Sequence, residues 1–347
     1  MSKTLQTATQ IITQLKSAGH EAYLVGGCVR DLLMNIKPKD YDIVTSATPD
    51  EIEKILPKTV PVGRQFGVML AIVGKETFEI ATFRSDSPIS DGRRPTEVFF
   101  ASAKEDALRR DFTINGLFYD PITKQVLDYV NGQQDIKAHI IRFIGDPEQR
   151  LHEDYLRLLR AIRFKINLGF RYAEGVKEPI QRHAHRILKV SSERIRSELN
   201  KILTTKHRAR GIDELSQTGL LHYILPELEQ CKHVTQPYEF HQEGDVYTHI
   251  LLALDSLPAS TPLYIIWAVL LHDIGKPATF SQENNRIHFN GHTEKSVQLA
   301  DTILRRLAFS NQERQKILWL ISHHMHLGVI PEMRRVKQHT LLTHPLF

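Results

Sequence analysis

The sequence predicts an α+β protein: a head with a small mixed sheet, then an all-helical neck and body, then a helical tail. Three observations carry that expectation. Within the first 85 residues, four short runs combine β-branched and aromatic residues and are separated by turn residues: YLVGG (23–27), DYDIVT (40–45), GVMLAIV (67–73) and TFEIATF (77–83). From Leu151 onward the apolar spacing becomes helical, through LHEDYLRLLRAIRFKINLGF, SSERIRSELNKILT and DELSQTGLLHYILPEL. Many of the 18 histidines lie beyond residue 222, an asymmetry that points to a metal site in the tail.

A chain of 347 residues is long enough for two or three domains. The expected division is a head at 1–145, a helical neck and body at 146–230, and a helical tail at 240–347. The stretch HVTQPYEFHQEGDV (233–246) reads as a linker or ordered loop. An apolar fraction of 41% with 24% charged residues excludes general disorder. Two cysteines, Cys28 and Cys231, exclude a disulfide scaffold. No apolar run approaches the roughly 18 residues of a membrane span. The N-terminal MSKTLQTATQIITQLKSAGH reads as an amphipathic helix rather than a signal peptide. The expected setting is cytoplasmic and reducing, with no membrane and no stable protein partner. A net charge of +5 suits a polyanionic partner without demanding one.

The strongest local signal is LVGGCVRDLLMNIKPKDYDIVT. On a strand, Asp40 and Asp42 point to one face while Tyr41 and Ile43 point to the other. Two adjacent carboxylates repel unless a cation or proton lies between them. Mg²⁺ prefers oxygen ligands and accepts water and phosphate as the remainder. Two such ions would activate an attacking hydroxyl and stabilise a leaving pyrophosphate. Upstream, Gly26 and Gly27 end a strand and open a helix whose backbone N–H groups suit a triphosphate, with Arg30 to neutralise its charge. A D-x-D string alone marks a surface turn more often than a metal site. The GG-x-x-R-D string about ten residues before it sets this one apart.

The string GGCVRD…KDYDIVT resembles motif A of the class II tRNA nucleotidyltransferases and bacterial poly(A) polymerases, within the polymerase-beta-like nucleotidyltransferase superfamily. RRDFTING (109–116) is similar to motif B, with Gly116 where that family usually has Ala. Asp128, Gly132 and Asp135 in LDYVNGQQDI fit motif C, HEDYLRLLRAIRF (152–164) fits motif D, and SSERIRSELNKIL (191–203) fits motif E. The match covers roughly the first 230 residues in family order. The resemblance implies a polymerase-beta-like head that uses Mg²⁺ to add CMP and AMP from CTP and ATP to the tRNA 3′ end, in CCA addition or repair. It implies Asp40 and Asp42 as catalytic metal ligands. It implies Gly27, Arg30, Arg110, Asp154, Arg157, Arg160 and Arg163 as nucleotide-binding residues. Asp111 is expected to orient Arg110. Glu79 is either a third acid aimed at the same metals or an exposed edge-strand glutamate. Addition of the terminal A alone, or of a poly(A) tail, is the alternative output of the same family, and motifs A, B and D do not separate these.

Residues 151–164 are expected to form one helix, with Leu151, Tyr155, Leu158, Leu159 and Ile162 on its apolar face. The bland account of Glu153, Asp154, Arg157, Arg160 and Arg163 is a solvated face of ion pairs. Chemistry offers a sharper one. An Asp accepts from an exocyclic amine and an Arg donates to an unprotonated ring nitrogen, a pair that adenine and cytosine both present. Guanine and uracil reverse it and leave two groups mispaired. In the resembling family this is the E-D-x-x-R motif, which falls here on Asp154 and Arg157. FRSDSPISDGRRPTEVFF (83–100) reads as a surface loop, or as a lid that repositions those two residues while the RNA end grows. Its full length argues for terminal-A activity, since the family's C-only enzymes shorten it.

In the tail, His272 and Asp273 adjoin in LLHDIGKP, and with His249 upstream they can ligate one metal. His292 with His323 or His324 would bind a second ion or a phosphate. The pattern resembles the HD phosphohydrolase domain, although the usual later Asp is not evident, and the tail is expected to be truncated or naturally shortened. It leaves a second class of function open: a metal-dependent phosphohydrolase with the head as an RNA-binding module.

Overall fold

The computed structural model describes residues 2–86, 98–237, 244–284 and 286–345. The chain divides into two compact units, residues 1–157 with 169–179, and residues 158–168 with 180–347.

The first unit runs α1 (Lys3–Ser17), β1 (Ala22–Val25), α2 (Gly27–Leu33), β2 (Ile43–Thr45), α3 (Pro49–Ile55), β3 (Thr59–Gly63), β4 (Val68–Val73), β5 (Glu76–Thr82), β6 (Arg84–Asp86), β7 (Val98–Phe100), α4 (Ala103–Leu108), β8 (Leu117–Asp120), β9 (Gln125–Asp128), α5 (Gly132–Ala138) and α6 (Pro147–Glu153). Seven strands form one mixed sheet in the order β3-β4-β5-β2-β1-β8-β9. Its β2–β5 pair is parallel and its other pairs are antiparallel. β6 and β7 pair separately, Arg84 opposite Phe100. Val25, Val44, Phe83, Ala103, Ala107 and Phe118 form one buried cluster. The amphipathic spacing of α1 buries Ile11, Ile12 and Leu15, and the helix contacts β1, β2 and α3.

The sequence pattern predicts a strand over 40–45, but the ladder begins at Ile43. The reason lies in β1. Leu24 opposes Ile43, and the Val25 amide still donates to the Asp42 carbonyl at 3.1 Å. Gly26 then turns away with φ +74°, leaving residues 40 and 41 no strand to pair with.

The second unit is largely helical, with one antiparallel strand pair (Ser281–Glu283 and Arg286–His288): α7 (Arg157–Leu168, its first residue in the first unit), α8 (Lys177–His183, beginning in the first unit), α9 (Ser192–Leu203), α10 (Arg208–Gln217), α11 (Leu220–Ile224), α12 (Pro226–Glu229), α13 (Val246–Ser256), α14 (Leu263–Leu271), α15 (Lys276–Thr279), α16 (His292–Arg306), α17 (Asn311–His323) and α18 (Arg335–Leu342). Its core includes Leu199, Ile202, Leu215, Leu254, Trp267, Ile303 and Ile317. Trp267 meets its one donor requirement through Asn200 Oδ1 at 2.8 Å. The buried Arg208 guanidinium donates to the carbonyls of Leu257 and Pro258, just past the end of α13. Among the described residues no helix is long and apolar enough to cross a membrane.

Candidate active site

The head site grows from the β1–β2 ladder. Tyr41 is buried, Asp40 is exposed and Asp42 half-buried, and Asp40 lies close enough to Asp42 for its charge to act on that carboxyl. β5 lies next to β2 with Ile80 opposite Ile43, which puts Glu79 on the face of Asp42. Glu79 is exposed, but its strand is interior to the sheet, between β4 and β2, so the edge-strand reading does not hold. Burial, and then the charges of Asp40 and Glu79, push the Asp42 carboxyl up to about 6, against the pull of Arg110. An incoming divalent cation would relieve that repulsion, so the three acids fit a hard metal ion.

Two arginines flank the glycine turn, and both are held. Arg30 donates Nη1 to Asn115 Oδ1 at 2.8 Å, and Nε and Nη2 to Asp31 Oδ1 at 2.9 and 2.7 Å. Arg110 Nη1 lies 3.6 Å from where a Cβ on Gly26 would stand. Its Nε and Nη2 donate to Asp106 Oδ2 at 3.1 and 2.8 Å. The sequence reading assigns the orientation of Arg110 to Asp111, and the structure corrects it. Asp106 lies one helical turn earlier on α4 and faces Arg110. Asp111 accepts instead from the Phe112 amide at 2.8 Å and from Asn115 Nδ2 at 3.4 Å. The i,i+4 spacing in EDALRR was the signal that could have revealed this.

The motif C residues hold the turn Thr113–Asn115, which carries the Arg30 partner Asn115. Asp128 accepts from the amides of Val130, Gly132 and Gln133, closing the start of α5. Asp135 accepts from Thr113 Oγ1 at 2.7 Å and Arg142 Nε at 3.0 Å. A Cβ on Gly132 would stand 2.2 Å from the Thr113 carbonyl oxygen, so only glycine fits there. A Cβ on Gly116 would lie 2.8 Å from Val130 Cγ2 and 3.0 Å from Ile144 Cδ1. Glycine at this position accommodates those two side chains.

The single helix expected over 151–164 is broken. α6 ends at Glu153, Asp154 is extended (φ −156°, ψ 105°), and α7 starts at Arg157. Asp154 Oδ1 accepts the Leu156 amide at 3.0 Å, a local bond that competes with helix continuation. Leu151, Leu158, Leu159 and Ile162 are buried as the spacing requires, but Leu156 joins them and Tyr155 is only half-buried. Asp154 and Arg157 therefore stand at a junction rather than on one helix face. Arg157 donates Nη1 to the Arg150 carbonyl at 2.6 Å and to Glu153 Oε2 at 2.5 Å, and Nη2 to the Arg109 carbonyl at 3.4 Å. Arg160 and Arg163 belong to the second unit, each over the Phe164 ring, and Arg163 donates to the buried Glu198 at 2.6 Å. In the expected lid, residues 87–97 lie outside the described residues.

The tail centre is built around one buried carboxylate. His272 caps the C-terminal end of α14, and Asp273 lies in the turn that follows. His249 and His272 place Nε2 at 3.6 and 3.2 Å from Asp273 Oδ2. His292 and His324 place Nε2 at 3.7 and 3.8 Å from Oδ1. Of the two candidates, His324 reaches the centre, whereas His323 stacks on Trp319 at 4.4 Å. Lys276, not foreseen from sequence, sets Nζ 2.7 Å from Asp273 Oδ2 and 2.7 Å from Gln236 Oε1. Burial alone would raise the Asp273 carboxyl, but His272 and Lys276 outweigh it and hold it well below the usual carboxylate range. Burial lowers His324 to about 4, which keeps its imidazole neutral as a metal requires. Two groups, His249–His272–Asp273 and Asp273–His292–His324, have donor atoms close enough to share an ion.

Residues 22–142 match the poly(A) polymerase head domain family, 169–232 the family described as "Probable RNA and SrmB- binding site of polymerase A", and 246–343 the HD domain family. The CCA-adding enzyme of Staphylococcus saprophyticus is 42% identical over 220 residues, 63% of this chain. This chain belongs to the class II CCA-adding enzyme and poly(A) polymerase family. Poly(A) polymerase I of Salmonella typhi is 39% identical over 234 residues, 64% of this chain. The chain spans 55% of the first relative's length and 50% of the second's. The solved CCA-adding enzyme of Bacillus stearothermophilus, in complex with CTP, superposes with a TM-score of 0.59 at 28% identity, covering 91% of this chain and 82% of that one. A head and an HD domain of these families imply metal dependence, and the Asp/His cluster is present for it.

Proposed function

We propose that this protein is a template-independent RNA nucleotidyltransferase that adds CMP and AMP from CTP and ATP to the 3′ end of tRNA, working in the cytoplasm. The observation that carries this reading is the crowding of Asp40, Asp42 and Glu79 beside a glycine turn flanked by two held arginines. The similarity to a CCA-adding enzyme and to a CTP-bound structure supports it. In this reading the catalytic head is 1–145, the neck and body 146–230, and the HD-like domain 240–347.

Asp40 and Asp42 would hold Mg²⁺. When bound, the metal supplies Lewis-acid chemistry, making the RNA 3′-hydroxyl a better nucleophile and neutralising the departing pyrophosphate. Gly27, Arg30 and Arg110 bind the triphosphate, and their fixed orientation costs no reorganisation when charge builds on the leaving group. Asp154 and Arg157 read the base edge at the helix break, with Arg160 and Arg163 as further nucleotide contacts. The 3′-oxygen forms a bond to the α-phosphorus, the bond to pyrophosphate breaks, and the hydroxyl proton is released.

The test is product analysis on tRNA lacking CCA, with CTP alone, ATP alone and both. CCA addition predicts two cytidines with CTP alone and completion with both. Growth with ATP alone by a single residue, or by a long tract, would assign terminal-A or poly(A) addition instead. A second reading rests on the tail: four histidines around Asp273 favour a metal-dependent phosphohydrolase activity there. Phosphatase assays on a protein carrying Asp40→Ala and Asp42→Ala separate tail from head chemistry.

A further inference from the structure

Asp106 is fully buried on α4 and uses both carboxylate oxygens. Oδ2 receives Arg110, and Oδ1 receives Arg109 Nε and Nη2 at 2.9 and 2.6 Å and the Arg84 amide at 3.3 Å. Arg109 Nε also donates to the Arg84 carbonyl at 2.8 Å, so both backbone groups of residue 84, on β6, are held by the Asp106–Arg109 pair. The Arg109 carbonyl in turn accepts from Arg157. One carboxylate thus stands between the arginine at the glycine turn and the arginine at the helix break.

A buried acid with two guanidiniums is a weak stabilising device, since well-packed apolar groups often do as well. Its consequence here is positional. Arg110 lies close enough to Asp42 to lower that carboxyl. Released, it would be drawn onto Asp40 and Asp42 and would compete with the cation those acids are arranged to take. Held by two bonds to Asp106, it presents its remaining donor toward the Gly26 turn.

We infer that Asp106 is a positioning residue of the head site: it keeps Arg110 directed at the triphosphate and off the metal-binding carboxylates, and it links that arginine through Arg109 to Arg157. The inference rests on the nucleotidyltransferase reading. The test is steady-state addition to tRNA lacking CCA by wild type, Asp106→Asn, Arg110→Ala and the double variant, with CTP, ATP, tRNA and Mg²⁺ varied in turn. Asp106→Asn is expected to raise the KM for CTP and ATP by about tenfold or more and the Mg²⁺ requirement with it, leaving the KM for tRNA unchanged. For the triphosphate constants the double variant is expected to be no worse than Arg110→Ala alone, since Asp106 acts on the triphosphate through that residue. If Asp106→Asn does not fold, Asp106→Glu keeps the charge and is expected to shift the same constants by less. Nucleotide and Mg²⁺ constants equal to wild type in the folded variant, or losses that multiply in the double variant, would overturn the inference. Failure of the wild type to add either nucleotide would overturn the underlying reading instead.

Discussion

Asp42 in the head and Asp273 in the tail are both drawn back from water, yet their neighbours differ in sign. Asp42 faces Asp40 and Glu79, and its carboxyl rises to about 6. Asp273 faces Lys276 and four imidazoles, and its carboxyl is held low. The head centre carries excess negative charge that an arriving cation or a proton can balance. The tail centre carries a cation of its own, with imidazole nitrogens around it. A site that must take up metal with each charged substrate benefits from the first arrangement, and a site whose carboxylate is charged and oriented before any ion arrives resembles the second.

The largest effects on stability should separate the two centres by sign. Asp273→Ala leaves the buried Lys276 without its carboxylate and is expected to destabilise the protein by about 3–5 kcal/mol, read by chemical denaturation. Asp42→Asn removes a repelled charge and is expected to stabilise the metal-free protein by on the order of 1 kcal/mol near neutral pH. The pH dependence follows from the direction of the shift. The Asp42 carboxyl is raised on folding from 3.8 to about 6, so the folded state binds the extra proton in that interval. Wild-type stability is therefore lost as pH rises from about 4 to 6. The gap between variant and wild type should be open above pH 6 and closed below about 4. Equal stability of the two proteins at pH 7.5 in chelator would erase the contrast.

A smaller shift sharpens the assignment of base choice to the head. Replacing both Asp154 and Arg157 by Ala removes two hydrogen-bonding groups, each on the order of 1–3 kcal/mol, or about tenfold to a hundredfold in selectivity. UTP and GTP should then be incorporated at rates nearer the residual CTP and ATP rates, as read with each triphosphate singly on one tRNA. Unchanged preference for C and A would return the helix break to a structural role.

Much of this was legible in the chain because the signals are local. Gly26-Gly27 and the alternation in TFEIATF fix neighbouring residues on known faces, and the glycine turn and β5 follow, whereas the D-x-D pair lies just before a strand that starts only at Ile43. The break at Asp154 was missed because the 3.6-residue spacing of Leu151, Leu158 and Ile162 runs across it. A single side-chain bond to the Leu156 amide outweighs that pattern. Asp106 and Lys276 were missed for another reason: each looks like an ordinary surface charge until tertiary packing buries it against its partners. His324 could not be told from His323 by spacing, because the choice is made where the 3₁₀ turn begins after α17.

The central claim is that nucleotide addition belongs to the head carboxylates and not to the tail. Its most direct measurement is single-turnover incorporation of CTP into tRNA lacking CCA, comparing Asp40→Ala and Asp42→Ala with the tail variants His249→Ala and Asp273→Asn, alongside tRNA binding. The account predicts that either head variant falls to background while still binding tRNA, because phosphate contacts made by Lys and Arg do not depend on two carboxylates. It predicts that the tail variants, where folded, keep adding cytidine at near wild-type rates. A head variant that adds at the wild-type rate in saturating Mg²⁺, or a folded tail variant that adds nothing, would contradict it.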